Sequence, residues 1–293
     1  MQFTSLHPNW ITGFSDGEST FGVHVSKSKT HKLGFSVRVW FAISQDERDL
    51  KILEALKNYF QIGFIFKDSG DRKVWVYKIS SYEDINQKII PFFDQYPLLT
   101  TKYANYNDFK IVVTMMVNKE HLTQEGLNKI VKISQGMNTK RDYSLFKNTN
   151  PVISPNWLLG FVDAEGCFYA KVTPNKTSKL GYRVIVFFSI YQHGRDHLIL
   201  KGIQNFFGCG SLTEKSRGDS LSFEYKVVGI NDLSTKIIPF FDQYNLVTTK
   251  FKNYHDFRII LSMMVNKKHL THEGLNEIKD ICSGMNSGRN YSF

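Results

Sequence analysis

The hydrophobic positions of the chain change period several times, and the same changes come round twice. Residues 35–44 alternate one by one, with Val37, Val39, Phe41 and Ile43 on one face and Ser36, Arg38, Trp40 and Ala42 on the other. That two-residue period predicts a half-buried strand. The next apolar set, Leu50, Leu53, Leu56 and Phe60, recurs at helical spacing, as do Leu200, Ile203 and Phe207 later on. Further strands are predicted at 20–28, 62–67 and 73–80, and helices near 9–17, 83–93, 100–118 and 124–136.

The order then repeats. Residues 88–138 and 236–286 are identical at 35 of 51 positions at a constant offset of 148. Upstream the offset is 147, Lys32-Leu33-Gly34 answering Lys179-Leu180-Gly181, so the second copy carries one extra residue, expected near Leu212 to Glu214. Two copies of so long a period mean a duplicated domain, not a solenoid. The boundaries read as a first copy at 1–138, a linker at 139–155 rich in polar and Pro residues, and a second copy at 156–293. Each copy runs α-β-β-α-β-β and closes with the remaining helices, those near 83–93, 100–118 and 124–136 in the first copy. The fold class is therefore α+β, with helices covering one face of a four-stranded sheet and the other face bare.

Composition narrows what the bare faces are for. With 37 Lys and Arg against 27 Asp and Glu, the net charge is +10, which asks for a polyanionic partner. Aromatic residues at 14% exclude a disordered chain. No apolar run approaches the roughly 18 residues of a membrane span, and Pro8 and Trp10 interrupt the stretch where a secretory leader would be apolar. Cys167, Cys209 and Cys282 show no paired spacing, so neither a disulfide framework nor a zinc cage is expected, and a reducing compartment follows.

The outward registers are His24, Ser26 and Ser28 on the first strand, Ser36, Arg38 and Trp40 on the second, and Lys78 and Ser80 on the fourth. Their counterparts are Tyr169, Lys171 and Thr173, then Arg183, Ile185 and Phe187, then Lys226 in the set Ser222, Glu224 and Lys226. Basic groups mixed with exposed aromatics suit nucleic acid better than water.

A short motif opens each copy: Gly13-Phe14-Ser15-Asp16-Gly17-Glu18 and Gly160-Phe161-Val162-Asp163-Ala164-Glu165. Gly13 and Gly17, like Gly160 and Ala164, stand four apart, a spacing that lets helix backbones approach closely. Helices packed through those faces would bring Glu18 and Glu165 together at two negative helix ends, a placement that calls for a cation. Oxygen ligands alone favour Mg²⁺ over zinc.

ITGFSDGES and LLGFVDAEG resemble the two signature motifs of a LAGLIDADG homing endonuclease of the single-chain, double-motif type; PFFDQYPLLTTK and HLTQEGL extend the likeness over nearly the whole chain. The resemblance implies a pseudo-twofold pair of αββαββα repeats, with the signature helices at the interface and two four-stranded antiparallel sheets forming a saddle on the DNA major groove. It implies a monomer, with double-stranded DNA as partner and no membrane. The reaction it implies is hydrolysis of both strands of a long asymmetric site across the minor groove, leaving short 3′ overhangs. By the same likeness Glu18 and Glu165 match the metal-binding acids, supported by the carbonyls of Gly17 and Ala164. Gln45 and Gln192 match the position that orients water or metal. Lys102 and Lys250 match the basic residue near the scissile phosphate, and Arg48 and Arg195 are placed in the same pocket. Mg²⁺ is the expected ion, with Mn²⁺ substituting and Ca²⁺ supporting binding without cleavage. An intron-encoded gene of fungal mitochondria is implied, and intron RNA is the alternative partner, for a maturase of the same fold. Ser19 stands where the family has glycine, so strain at the first exit, shifting Glu18, is expected. His121 and His269 are expected to cap a helix or to be satisfied in the core.

Overall fold

The computed structural model describes residues 6–70, 73–138, 141, 143, 151–217, 220–286 and 289. It separates into two compact units, Met1–Thr149 and Asn150–Phe293. In the first, helix α1 (Pro8–Glu18) opens on a proline, whose missing N–H is not needed in a first turn. It leads without a loop into strand β1 (Ser19–Lys27), followed by β2 (Phe35–Asp46), helix α2 (Leu50–Phe60), β3 (Phe64–Lys67) and β4 (Val74–Ile79). Helices α3 (Tyr82–Asp84) and α4 (Ile90–Gln95) flank a π-helical stretch, Ile85–Ile89. Pro91 has no N–H to close an α-turn, and the chain widens just ahead of it. Helices α5 (Lys102–Val117) and α6 (Gln124–Gln135) complete the unit.

The second unit repeats this order: α7 (Pro155–Glu165), β5 (Gly166–Pro174), β6 (Tyr182–His193), α8 (His197–Phe207), β7 (Ser211–Arg217) and β8 (Ser220–Val227). Helices α9 (Ile230–Asp232), α10 (Ile238–Gln243), α11 (Lys250–Val265) and α12 (His272–Ser283) follow. Both sheets are four-stranded and antiparallel, ordered β1-β2-β4-β3 and β5-β6-β8-β7.

One face of each sheet is filled with aromatic rings. Phe21 lies 5.3–5.5 Å from Phe41, Phe93, Tyr106 and Phe109, ring centre to ring centre. Phe168 stands likewise among Phe188, Phe241, Tyr254 and Phe257 at 5.1–5.6 Å. A ring buried in such a cluster contributes about 2–3 kcal/mol, so these layers anchor the helices to the sheet.

The register relocates the extra residue of the second copy. Lys67 pairs with Trp75 and Glu214 with Phe223, so the offset is 147 through Glu214 and 148 from Phe223 onward. The insertion therefore lies in the β7–β8 hairpin beyond Glu214, not at Leu212 to Glu214. A hairpin absorbs one residue where an alternating strand would turn its side chains over.

Most of the 139–155 linker, including Lys140, Asn148 and Asn150, lies outside the described residues. Arg141 is bound to the first unit: its Nε donates to Asn105 Oδ1 at 3.1 Å and its guanidinium pairs with Asp108. The Asn138 N–H donates to the same Asn105 oxygen at 2.9 Å. Arg289, Asn253, Asp256 and Asn286 repeat this clamp. Its members are 33 or 36 residues apart, so spacing along the chain gave no sign of it.

Candidate functional site

Each opening motif becomes a helix whose last residue is the acid. Glu18 ends α1 and Glu165 ends α7, both half-buried. Neither helix has a basic residue in its last turn to offset the partial negative charge of its free carbonyls. The charge comes instead from the start of α5. Lys102 Nζ donates to the carbonyls of Ser15 at 2.9 Å and Gly17 at 3.1 Å. Lys250 does the same for Val162 at 2.9 Å and Ala164 at 3.2 Å.

The third acidic position of the site is one the sequence left without a role. Asp16 is 5% exposed, and its carboxylate accepts from Leu99 N–H at 2.9 Å, Thr100 N–H at 3.1 Å and the Thr100 hydroxyl at 2.6 Å. Asp163 binds Val247 and Thr248 in the same way. A buried carboxylate with three donors is well compensated, and these bonds fasten the Leu-Thr-Thr-Lys segment to the signature helix. Asp16 is therefore what sets Lys102 on its carbonyls. Its partners lie 83 and 84 residues away, beyond the reach of any local motif.

Gln45 and Gln192 occupy the next-to-last position of β2 and β6. Ser19 pairs with Ile43 and Gly166 with Ile190, so each glutamine sits two residues further on, at the sheet end where the signature helix arrives. Arg48 lies 3.7 Å from Asp46 and 3.9 Å from Asp49, and Arg195 3.5 Å from Asp196, so both belong to the turn after the second strand.

Ser19 carries no strain. Its φ of −86° and ψ of 158° are those of ordinary extended backbone, and its hydroxyl donates to Ser15 O at 2.7 Å. The glycine of the second copy has a local cause: a Cβ on Gly166 would fall 2.5 Å from Val162 Cγ1, where the first copy has Ser15. His121 and His269 do not cap the following helices. Thr123 and Thr271 do, accepting from Gly126 N–H and Gly274 N–H at 3.1 Å. His121 is only half satisfied: burial pushes its pKa down and its ring bonds the Met115 carbonyl, but its Nδ1 is buried with no hydrogen-bond partner among the described residues, as is that of His269.

The outward registers fall on one face of each sheet. His24 pairs across from Arg38, Ser26 from Ser36, Thr173 from Arg183 and Lys171 from Ile185. Arg38 also donates to Ser26 at 3.4 Å. Ser28 lies one residue past β1 and Ser80 one past β4, outside the ladders. Trp40 is not a free ring. It lies flat on Gly22, where a Cβ would come within 2.1 Å of it, and Lys78 Nζ stands 5.0 Å from its centre. In the second unit Tyr169 and Phe187 stack at 4.5 Å, and Lys226 Nζ stands 3.6 Å over Phe187. Alternation in the short FIFK run also puts Phe64 and Phe66 on the outer face, 48% and 37% exposed, a pair the sequence reading missed.

Among the described residues no three His, Cys, Asp or Glu side chains gather as a metal cage. Each unit offers one carboxylate and backbone carbonyls, an oxygen-only donor set. That set matches an ion such as Mg²⁺, which is held by one or two carboxylates and completes its shell with water and phosphate oxygens. No helix among the described residues is long and apolar enough to cross a membrane.

Comparison with known proteins gives a consistent picture. The LAGLIDADG endonuclease family model matches residues 11–113 and 158–261. Two Neurospora crassa proteins, named "Probable intron-encoded endonuclease 2" and "Probable intron-encoded endonuclease 3", are 34% and 36% identical over 95% and 92% of this chain. The chain spans 65% and 52% of their lengths. The meganuclease I-SmaMI, in a crystal structure with uncleaveable DNA, is 38% identical and superposes with a TM-score of 0.91 over 98% of this chain and 99% of its own. A second structure of I-SmaMI, with uncleaved target and calcium ions, gives 0.90 over 97% of this chain and 100% of its own.

Proposed function

The chain belongs to the LAGLIDADG endonuclease family, and on that footing we propose that it is a site-specific, double-strand DNA endonuclease. It reads a long asymmetric site with the bare sheet faces and hydrolyses both strands with a divalent ion, Mg²⁺ first, leaving short 3′ overhangs. The observation that carries the reading is the repeated grouping of a helix-terminal acid with a lysine on the carbonyl just before it, next to a basic and aromatic sheet face.

Glu18 and Glu165, with the carbonyls of Gly17 and Ala164, are the groups that would hold the ions. A bound divalent ion supplies Lewis-acid polarisation of the phosphate and a more acidic water. Lys102 and Lys250 act from fixed posts. Each is anchored on two carbonyls beside the acid, so its charge faces the phosphate without reorganisation during the reaction. Gln45 and Gln192, each able to donate and accept, orient the attacking water. His24, Ser26, Ser28, Ser36, Arg38, Trp40, Lys78 and Ser80 serve one half-site. Tyr169, Lys171, Thr173, Arg183, Ile185, Phe187 and Lys226 serve the other. The units differ at most of these positions, which makes the site asymmetric. Fungal relatives named as intron-encoded support an intron gene, and expression in the mitochondrion is part of the same proposal.

The test is incubation with a randomised duplex library and Mg²⁺, followed by sequencing of the cut ends. One long asymmetric consensus with 3′ overhangs is the expected result. A library left intact in Mg²⁺ and Mn²⁺ overturns the reading.

A further inference from the structure

In the second unit an acid stands in the middle of the otherwise basic face. Glu224 lies on β8 between Tyr191 of β6 and Thr213 of β7 and is only 3% exposed. Its carboxylate is 3.3 Å from Lys226 Nζ and 3.6 Å from Lys215 Nζ, and it accepts the Tyr191 hydroxyl. Lys226 is held from the other side by the Phe187 ring at 3.6 Å. Across the ladder from Lys226, Ser189 Oγ is fully buried, and neither it nor Glu224 Oε1 has a hydrogen-bond partner among the described residues, so Lys226 meets the carboxylate as an ion pair. The first unit has none of this: Val76 stands at the matching place, and Lys78 has Trp40 beside it at 5.0 Å.

So deep a carboxylate has no surface left to meet a base. A desolvated charge depends on its partners, so burying Glu224 orders the two lysines and the tyrosine around it. We infer that Glu224 is a positioning residue for sequence choice. It holds Lys226 and Lys215 at fixed places on the second sheet, so that Lys226 donates to a base edge of its half-site instead of swinging to the nearest phosphate. This rests on the endonuclease reading given above.

Two effects follow from the chemistry. A lysine has a long flexible stem and strong charge, and unconstrained it finds phosphate wherever phosphate is. Pinned between an acid and a ring, it loses less freedom on meeting a base and points in one direction. The acid also cancels one positive charge, which weakens sequence-independent attraction to the duplex. Glu224 thus raises discrimination from both sides, by directing one lysine and by lowering the background.

The experiment compares wild type, Glu224→Gln, Lys226→Gln and the double variant. Each is profiled on the randomised library and titrated with salt on a random duplex. In Glu224→Gln, base preference at the pairs facing Lys226 is expected to fall about tenfold. Binding to random duplex is expected to tighten, with a salt slope steeper by about 0.9. In the Lys226→Gln background the second substitution is expected to relax base choice no further. Tyr191 reports that the cluster itself has changed. Burial and the bond to Glu224 push its pKa up to about 12, and it should fall in Glu224→Gln. If Glu224→Gln proves unstable, the pair Lys226→Gln and double variant decides, because the double variant buries no charge at the site. A wild-type profile and slope in folded Glu224→Gln overturn this inference alone, as does further relaxation by the double variant. A wild type that cuts no duplex overturns the endonuclease reading, and this inference with it.

Discussion

Ser19 and Gly166 show how one side chain licenses another four residues earlier. In the first copy Ser15 leaves room, and Ser19 uses it to bond the Ser15 carbonyl at 2.7 Å. In the second copy Val162 takes that room: a Cβ on Gly166 would lie 2.5 Å from its methyl group and 2.8 Å from its carbonyl oxygen. Gly166→Ser is therefore expected to cost about 1–3 kcal/mol, the usual range for overpacking. In a Val162→Ser background the methyl contact is gone and the new hydroxyl regains a carbonyl partner, so the same change should cost less than in the wild type, with the approach to the backbone oxygen remaining. Urea denaturation of the four proteins of this cycle measures the coupling, and strict additivity would refute the account. The converse change, Ser19→Gly, should cost about 1 kcal/mol through its lost hydrogen bond. At this scale the sequence was partly legible: the acids stood out through their repetition, whereas the reason for Ser19 needed a contact distance.

The signature helix is supported from outside its own sequence. Its last turn has no basic residue, and its end must still be placed accurately. Asp16 provides the fastening, through three bonds to Leu99 and Thr100, and through it Lys102 reaches the helix carbonyls. Asp16→Ala leaves two N–H groups and a hydroxyl without their acceptor, and we expect a loss of about 2–4 kcal/mol. Amide exchange at Leu99 and Thr100 should accelerate more than at Phe41 in the sheet core, which separates local release from global loosening. Lys102→Met tests the next link. It keeps the length of the side chain, removes the charge from the helix end, and should cost about 1 kcal/mol. Equal protection of Leu99 in wild type and Asp16→Ala would sink this view of the segment. Most helices and strands were legible in the sequence, but the helix expected near 83–93 is two short α-helices around a π-helical stretch, Ile85–Ile89. What joins them was not legible, because hydrogen bonds spanning 80 or more residues leave no trace in a local pattern.

At the scale of the molecule, duplication made the fold readable, since each copy checked the other's element order. It also hid what differs, such as Glu224 against Val76 and the longer β7–β8 hairpin, because differences between copies look like drift until a register gives them places. The same duplication yields the last prediction. Each unit carries within its own fold an acid, the carbonyl before it, a lysine on that carbonyl and a glutamine at the same sheet end. On the proposed function each set serves one DNA strand, so losing one acid should spare the cut that depends on the other. Glu18→Gln and Glu165→Gln keep the size of the side chain while removing one charge each and exchanging one acceptor oxygen for a donor. On a supercoiled plasmid carrying the selected site, each should lower linearisation at least about a hundredfold, as expected when a metal-binding group is lost. Nicked circles should accumulate instead, with the two variants nicking opposite strands. Binding in Ca²⁺ should stay close to wild type, because the basic sheet faces are untouched. Linear product at the wild-type rate from either variant would remove that glutamate from the reaction. Nicking of the same strand by both would show that the two sets are not assigned one to each strand.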